Sequence, residues 1–356
     1  MQLDLPKLVE SIVSLHGADI HLSTGSKPYF RLKSRLLPQE DFPVLTKEML
    51  DEVLNHLISD ERIKLLYEGE EQDFAYSYQD NKYRFRVNAY ISQGNPNLVM
   101  RYLSSDFLSL EKLGLPPIIG QFSQLMQGFV LVTGPTGSGK STTLAAVIND
   151  INHNREEKII TIEDPIEFIY KQDRSMISQR EVGSDTKDFD KALTAALRED
   201  INVVLVGEMR DLETMRTALT AAETGHLVFS TLHTNSASQS INRIIDAFPS
   251  HSQAQIRTQL SNSLQGIVSQ RLVPTIDGNL TPAVEILIVN NAVKSLIREN
   301  RVYQIDTVME THLKEGMVTM NHSLFNLIRL GVVSFETALL YSPDPITLKN
   351  MLKRVD

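Results

Sequence analysis

The feature that most constrains this chain is the run Gly134-Pro135-Thr136-Gly137-Ser138-Gly139-Lys140-Ser141. It lies between an apolar run at 129–133 and a helical stretch beginning at Ser141. The spacing satisfies G-x-x-x-x-G-K-[ST] in the strand–loop–helix context that the pattern requires. Three glycines let the backbone wrap a phosphate with its N–H groups pointing inward. The start of the helix adds a favourable dipole. Lys140 is expected to reach the β- and γ-phosphates and Ser141 to ligate Mg²⁺. Residues 134–141 together with Thr142 are thus the expected nucleotide-binding set, and the chain reads as an ATP-hydrolysing enzyme with ATP and Mg²⁺ as its ligands.

Short apolar runs alternate with helical stretches on either side of this loop. The runs fall at 129–133, 159–162, 203–206 and 227–231, with helices predicted near 140–152, 187–198 and 211–223. Continuous β-branched runs separated by helices imply a parallel sheet buried on both faces, a doubly wound α/β core. After about 250 the chain reads as mostly helical to its end. The 356 residues allow about two domains. Residues 1–103 read as a smaller α+β domain. A helix at 5–15 stops at Gly17, strands follow at 20–23 and 29–33, and helices near 46–58 and 60–68. Strands at 73–78, 83–91 and 98–103 complete it, with Gln79-Asp80-Asn81 turning the first two into a hairpin. Between the domains, 104–119 reads as a linker stiffened by Leu115-Pro116-Pro117. The ATPase domain then covers 120–356.

Ligands of open α/β sheets sit beyond the carboxyl ends of the strands. Two acids fall there: Glu163 after 159–162, and Glu208 after 203–206. The position that often carries an Mg-binding Asp is Gly207, so Glu208 is expected in the metal shell through water. Glu163 is expected to orient or deprotonate the attacking water. His226 and His233 bracket the run 227–231, and their odd separation sends them to opposite faces of a continuous strand. His233, at the carboxyl end, has the better position for the γ-phosphate. His226 is left as a residue of a subunit boundary or a structural one. In Tyr83-Arg84-Phe85-Arg86-Val87 the period of two puts Arg84 and Arg86 on one face, with Arg101 on the next strand. Periodicity alone is satisfied by a solvated outer face. The alternative is a set of arginines that reaches a neighbour's phosphates.

The net charge of −9 argues against nucleic acid as the main partner. With no cysteine, disulfides and thiolate metal sites are excluded, and a reducing cytoplasm fits. The start lacks a basic region followed by an apolar run, and no apolar stretch is long enough to span a bilayer. Any membrane association is therefore expected to go through a partner.

The motifs taken in order resemble the type IV pilus retraction ATPases, the PilT kind, within the secretion ATPase superfamily. Gly17-Ala18-Asp19-Ile20-His21-Leu22, Arg84-Phe85-Arg86-Val87-Asn88 and the phosphate loop carry the resemblance through the first half. Thr161-Ile162-Glu163-Asp164-Pro165-Ile166-Glu167, Gln179-Arg180-Glu181-Val182-Gly183 and Val206-Gly207-Glu208-Met209-Arg210-Asp211 extend it. Glu223-Thr224-Gly225-His226 through Thr231-Leu232-His233-Thr234, then Asn242-Arg243-Ile244-Ile245-Asp246 and Phe248-Pro249, complete it. The resemblance implies a RecA-like core with a PAS-like amino-terminal domain, assembled as a homohexamer. It implies that Arg84, Arg86 and Arg101 act at a nucleotide site shared between subunits. It also implies an inner-membrane pilus platform protein as partner, a second retraction ATPase as another, and a cytoplasmic location peripheral to the inner membrane. The family segment Ala-Ile-Arg-Asn-Leu-Ile-Arg-Glu reads here Ala292-Val293-Lys294-Ser295-Leu296-Ile297-Arg298-Glu299, and Gln270-Arg271-Leu272-Val273-Pro274 is reminiscent of the accessory, PilU kind. An assembly or secretion ATPase of the superfamily would usually carry a four-cysteine zinc module, which this chain lacks. A non-hydrolysing nucleotide-binding regulator is a third reading, opposed by Lys140, Glu163 and Glu208.

Overall fold

A computed structural model describes residues 3–32, 35–79, 82–103 and 107–353. Its internal contacts divide the chain into two units, Met1–Asp106 with Pro165–Ile169, and Phe107–Asp164 with Tyr170–Asp356. Five sequence expectations reach beyond the described residues: 1–2 at the start of the small domain, Lys33 in the strand at 29–33, Asp80-Asn81 in the hairpin turn, 104–106 in the linker, and 354–356 at the end.

The first unit begins with α1 (Leu5–Ser14), whose first turn contains Pro6 and is capped by the Asp4 carboxylate on the Lys7 N–H at 2.9 Å. Then come β1 (Asp19–Ser23), β2 (Tyr29–Leu32), β3 (Arg35–Pro38), α2 (Lys47–Leu57), α3 (Asp60–Tyr67), β4 (Gln72–Tyr78), β5 (Tyr83–Ser92) and β6 (Asn95–Leu103). The strands form an antiparallel sheet in the order β3-β2-β1-β6-β5-β4. Phe85, Val87, Ala89, Leu98 and Met100 point to one face and meet Leu8, Ile12, Leu50 and Leu54 of the helices in one core. Strand β3 escapes the sequence reading because it is a short, exposed edge strand that ends in proline.

The second unit contains β7 (Gly128–Thr133), α4 (Lys140–Asn154), β8 (Lys158–Glu163), β9 (Met176–Glu181), α5 (Phe189–Ala196), β10 (Val203–Val206), α6 (Leu212–Glu223) and β11 (Leu227–Leu232). Then follow α7 (Ala237–Asp246), α8 (Gln253–Ser263), β12 (Leu264–Pro274), β13 (Leu280–Ile288), α9 (Asn291–Arg298), α10 (Ile305–Thr311), α11 (Met320–Arg329), α12 (Phe335–Tyr341) and α13 (Pro345–Lys353). The seven strands run in the order β13-β12-β7-β11-β10-β8-β9, all parallel except β13. Every residue of β7, β10 and β11 is buried, as expected for strands covered on both faces.

One expectation is corrected here. The stretch after 250 does contain helices, but β12 and β13 intervene and extend the sheet past β7. Their alternation is masked by polar residues at buried positions, Ser269 and Gln270 on β12 and Glu285 on β13. Strand β9, at the other edge, is polar for the ordinary reason that it is half exposed. The last helices build a small core of their own: Leu324, Phe325, Ala338 and Leu348 pack on Val273 and Ala283 of the β12–β13 pair. Among the described residues no helix is long and apolar enough to cross a membrane.

Candidate functional site

Parallel pairing brings the carboxyl ends of β7, β11, β10 and β8, four successive neighbours, to one edge of the sheet. The phosphate loop leaves β7, His233 follows β11, Glu208 follows β10, and Glu163 ends β8. Four segments distant in sequence therefore converge.

The phosphate loop is built for an anion. Gly137 and Gly139 have φ of 77° and 85°, which L side chains rarely adopt. Gly134 has φ 145°, and a Cβ there would meet the Gln270 carbonyl at 2.2 Å and Ser138 Oγ at 2.6 Å. Gly139 stands at the N-cap of α4 and offers no side chain to its first-turn N–H groups. Lys140 is buried, with Nζ donating to the carbonyls of Gly134 at 2.9 Å and Pro135 at 3.1 Å. Ser138 Oγ is buried without a hydrogen-bond partner among the described residues. Uncapped helix start, buried cation and orphaned hydroxyl together fit a phosphate chain, while Ser141, which follows Lys140, is exposed.

Sequence reasoning missed what holds this loop. From β12, Gln270 Nε2 donates to Ser138 O at 2.7 Å, and its Oε1 accepts from Thr143 Oγ1 at 2.8 Å. One buried amide thus ties the loop and the first turn of α4 to the neighbouring strand. Beneath it Thr133 Oγ1 lies 2.8 Å from Ser269 Oγ. The available signal was a polar pair, Ser269-Gln270, inside an otherwise apolar strand. Beside the loop a cavity of about 290 Å³ is lined by Leu108, Leu113, Leu115, Thr142 and Leu272, among others.

Glu208 is the centre of a charged cluster. Its Oε1 lies 3.0 Å from His233 Nε2, and its Oε2 accepts from Arg210 Nε at 2.9 Å. Arg210 also stands 3.5 Å from Asp164. The backbone just before it is pinned, since Ser230 Oγ donates to Val206 O at 2.7 Å and Thr231 Oγ1 to Gly207 O at 2.6 Å. Gly207 is glycine for a local reason: a Cβ would approach the Ile162 carbonyl at 3.2 Å and Glu163 Cα at 3.4 Å. Glu163 is buried, and its Oε1 accepts the Thr161 hydroxyl at 2.6 Å. Burial pushes the nearby Tyr170 phenol well above its ordinary pKa, and the Glu163 charge adds to that effect. Asp164, Arg210, Thr161 and Tyr170 had not been singled out individually from the sequence.

The remaining expected residues belong to other segments of the chain. His226 precedes β11 at the end opposite His233, where its Nδ1–H donates to Ala221 O at 3.0 Å and closes the α6–β11 turn. Arg84, Arg86 and Arg101 belong to the sheet of the first unit. Arg84 is buried, not on a solvated face: Nε donates to Ile166 O at 2.8 Å and Nη1 to Ser77 Oγ at 3.0 Å. Arg86 lies 3.9 Å from Asp73 and opposite Arg101 in the β5–β6 register. Arg101 is mostly exposed and donates to the buried Asp19 at 2.8 Å, an acid it shares with Arg31.

A family model described as "Type II/IV secretion system protein" matches residues 4–316. Over 299 residues the chain is 48% identical to the twitching motility protein of Neisseria gonorrhoeae, covering 84% of this chain and 80% of that one. Over 336 residues it is 42% identical to the type IV pilus retractation ATPase PilT of Pseudomonas aeruginosa, covering 94% and 97% of the two chains. Among solved structures it is similar to a crystal structure of the pilus retraction motor PilT with bound ADP. There the TM-score is 0.91 at 44% identity, over 98% of this chain and 100% of that chain.

Proposed function

Because this chain belongs to the type II/IV secretion system protein family, we propose that it hydrolyses ATP and uses the energy to drive retraction of a type IV pilus. The reading rests on one observation above all. A glycine-shaped loop with a buried lysine ends on the same sheet edge as Glu163, Glu208 and His233, in a chain similar over nearly its whole length to a retraction motor with bound ADP.

In this reading the loop N–H groups and Lys140 neutralise the triphosphate. Gly134, Pro135, Thr136, Gly137, Ser138 and Gly139 wrap it, and Thr142 guides it toward the apolar cavity beside the loop, which takes the base. Ser141 and, through water, Glu208 would hold Mg²⁺, which when bound supplies charge neutralisation on the transferred phosphoryl group. Glu163 orients and deprotonates the attacking water. His233 steadies Glu208 by the 3.0 Å contact and stands ready for the γ-phosphate. His226 serves the turn before β11. The chain works as a homohexamer in the cytoplasm, at the surface of the inner membrane, on a pilus platform protein and beside a second retraction ATPase. Arg84, Arg86 and Arg101 act on a neighbour's nucleotide.

Two measurements test the proposal. Phosphate release should be Mg-dependent and should vanish in Glu208→Ala. Deletion of the gene in a piliated host should leave excess, unretracted pili, whereas loss of an assembly ATPase would leave none. Binding of nucleotide without phosphate release by assembled wild-type protein would return the chain to the regulator class.

A further inference from the structure

The mechanism above makes no use of Glu285, which is buried on β13 directly opposite Ser269 of β12. Its Oε1 accepts the N–H of Ala237, the first residue of α7, at 2.7 Å. The N–H of Met320, the first residue of α11, also favours the charged form of this acid. One buried acid thus holds the start of the ten-residue helix α7.

The two helices differ in what they carry. Helix α7 follows directly from the loop His233-Thr234-Asn235-Ser236, whose first residue contacts Glu208. The same loop is anchored from below by buried hydroxyls. Thr234 Oγ1 lies 2.6 Å from Ser240 Oγ, which lies 3.5 Å from Thr133 Oγ1 at the base of the phosphate loop. Helix α11 opens the terminal helical group, α11 to α13. The charged groups acting on Glu285 are Asp306 of α10, which accepts from Ser238 Oγ at 3.2 Å, and Arg271 of β12, which donates to Tyr341 O at 2.9 Å. Helix α7 keeps Arg243 and Asp246 toward its far end, and α11 carries His322 and, at its far end, Arg329.

We propose that Glu285 is a positioning residue for ATP turnover: by holding the first N–H of α7 from strand β13, it fixes the loop that presents His233 to Glu208. This rests on reading the loop as part of an ATP-hydrolysing centre. Burial lifts the Glu285 acid to about 7; the Ala237 N–H opposes the rise, Asp306 adds to it, and the Met320 N–H and Arg271 oppose it. The strength of the tie therefore changes across neutral pH, because a carboxylate accepts more strongly than a carboxylic acid.

The experiment compares wild type with Glu285→Gln, which keeps shape and acceptor but not the charge. It measures kcat and KM for MgATP from pH 5.5 to 8.5, and hydrogen exchange of the amides at 233–240. At pH 8 the variant should lose about tenfold in kcat with little change in KM, the cost of one charge-assisted hydrogen bond. At pH 6 the two proteins should converge, and the Ala237 amide should exchange faster in the variant only at the higher pH. Active wild type with an unchanged pH profile and unchanged exchange in Glu285→Gln would overturn the role of Glu285. Inactive wild type with pH-dependent protection of Ala237 would instead overturn the ATPase reading, and the turnover role with it, leaving only the structural tie.

Discussion

At Lys140 and Glu208 a charge is held by a few neighbours, and single substitutions are correspondingly legible. Lys140→Ala removes the buried ammonium that donates to Gly134 and Pro135, and phosphate release should fall by more than about 100-fold while the circular dichroism spectrum is kept. His233→Ala frees Glu208 on one side only, since Arg210 remains at 2.9 Å. It should therefore lower kcat less than Glu208→Ala does, by about 10- to 100-fold, in steady-state assays. Glu285 also makes a stability prediction whose sign can be worked out. Its folded value, about 7, lies above the ordinary 4.5, so the stability it contributes is present below about pH 4.5 and lost as pH rises through 7. That loss amounts to about 3 kcal/mol. Thermal melts should show Glu285→Gln gaining on wild type by several degrees between pH 5 and pH 8. A difference that is flat with pH would contradict the buried, raised acid.

At the scale of elements, the pair β12–β13 decides how the phosphate loop is held, and it is the part the sequence hid. Strands β7, β8, β10 and β11 were readable because burial on both faces favours dense apolar runs, broken only by Thr161 in β8 and Ser230-Thr231 in β11. Strand β12 gives up apolar positions to Ser269 and Gln270, and β13 to Glu285, because these side chains serve the loop and the start of α7. A sequence pattern registers that service as lost periodicity. Removing the Gln270 amide should therefore act on the loop more than on the sheet. Gln270→Ala is expected to raise KM for ATP several-fold and to cost about 1–3 kcal/mol of stability, since Thr143 Oγ1 and Ser138 O both lose a buried partner. An unchanged KM, with only the stability lost, would reduce Gln270 to ordinary packing.

At the scale of the whole molecule, the proposed action of the first unit's arginines on a neighbour's nucleotide can be tested directly. Arg84 is a poor probe, because truncating a buried guanidinium leaves Ile166 O and Ser77 Oγ without their donor and threatens the fold. Arg101 is exposed, and Asp19 has Arg31 as a second partner. Arg101→Ala should thus assemble normally on size exclusion yet hydrolyse ATP far more slowly, by up to about 10³-fold for an arginine acting in trans. Normal turnover in the assembled variant would return Arg101 to a plain ion pair of its own domain. The sequence by itself determined the parts whose requirements are local: the phosphate loop with its glycines, the apolar runs of the doubly wound core, and the acids that must follow its strands. Tertiary structure alone decided that Arg84 is buried, that Glu208 meets His233 and Arg210, and that Gln270 and Glu285 reach across from strands the pattern did not announce. The physical reason is that a motif constrains backbone shape over a few residues, whereas a partner for a buried polar group is chosen by whichever distant segment the sheet order brings alongside it.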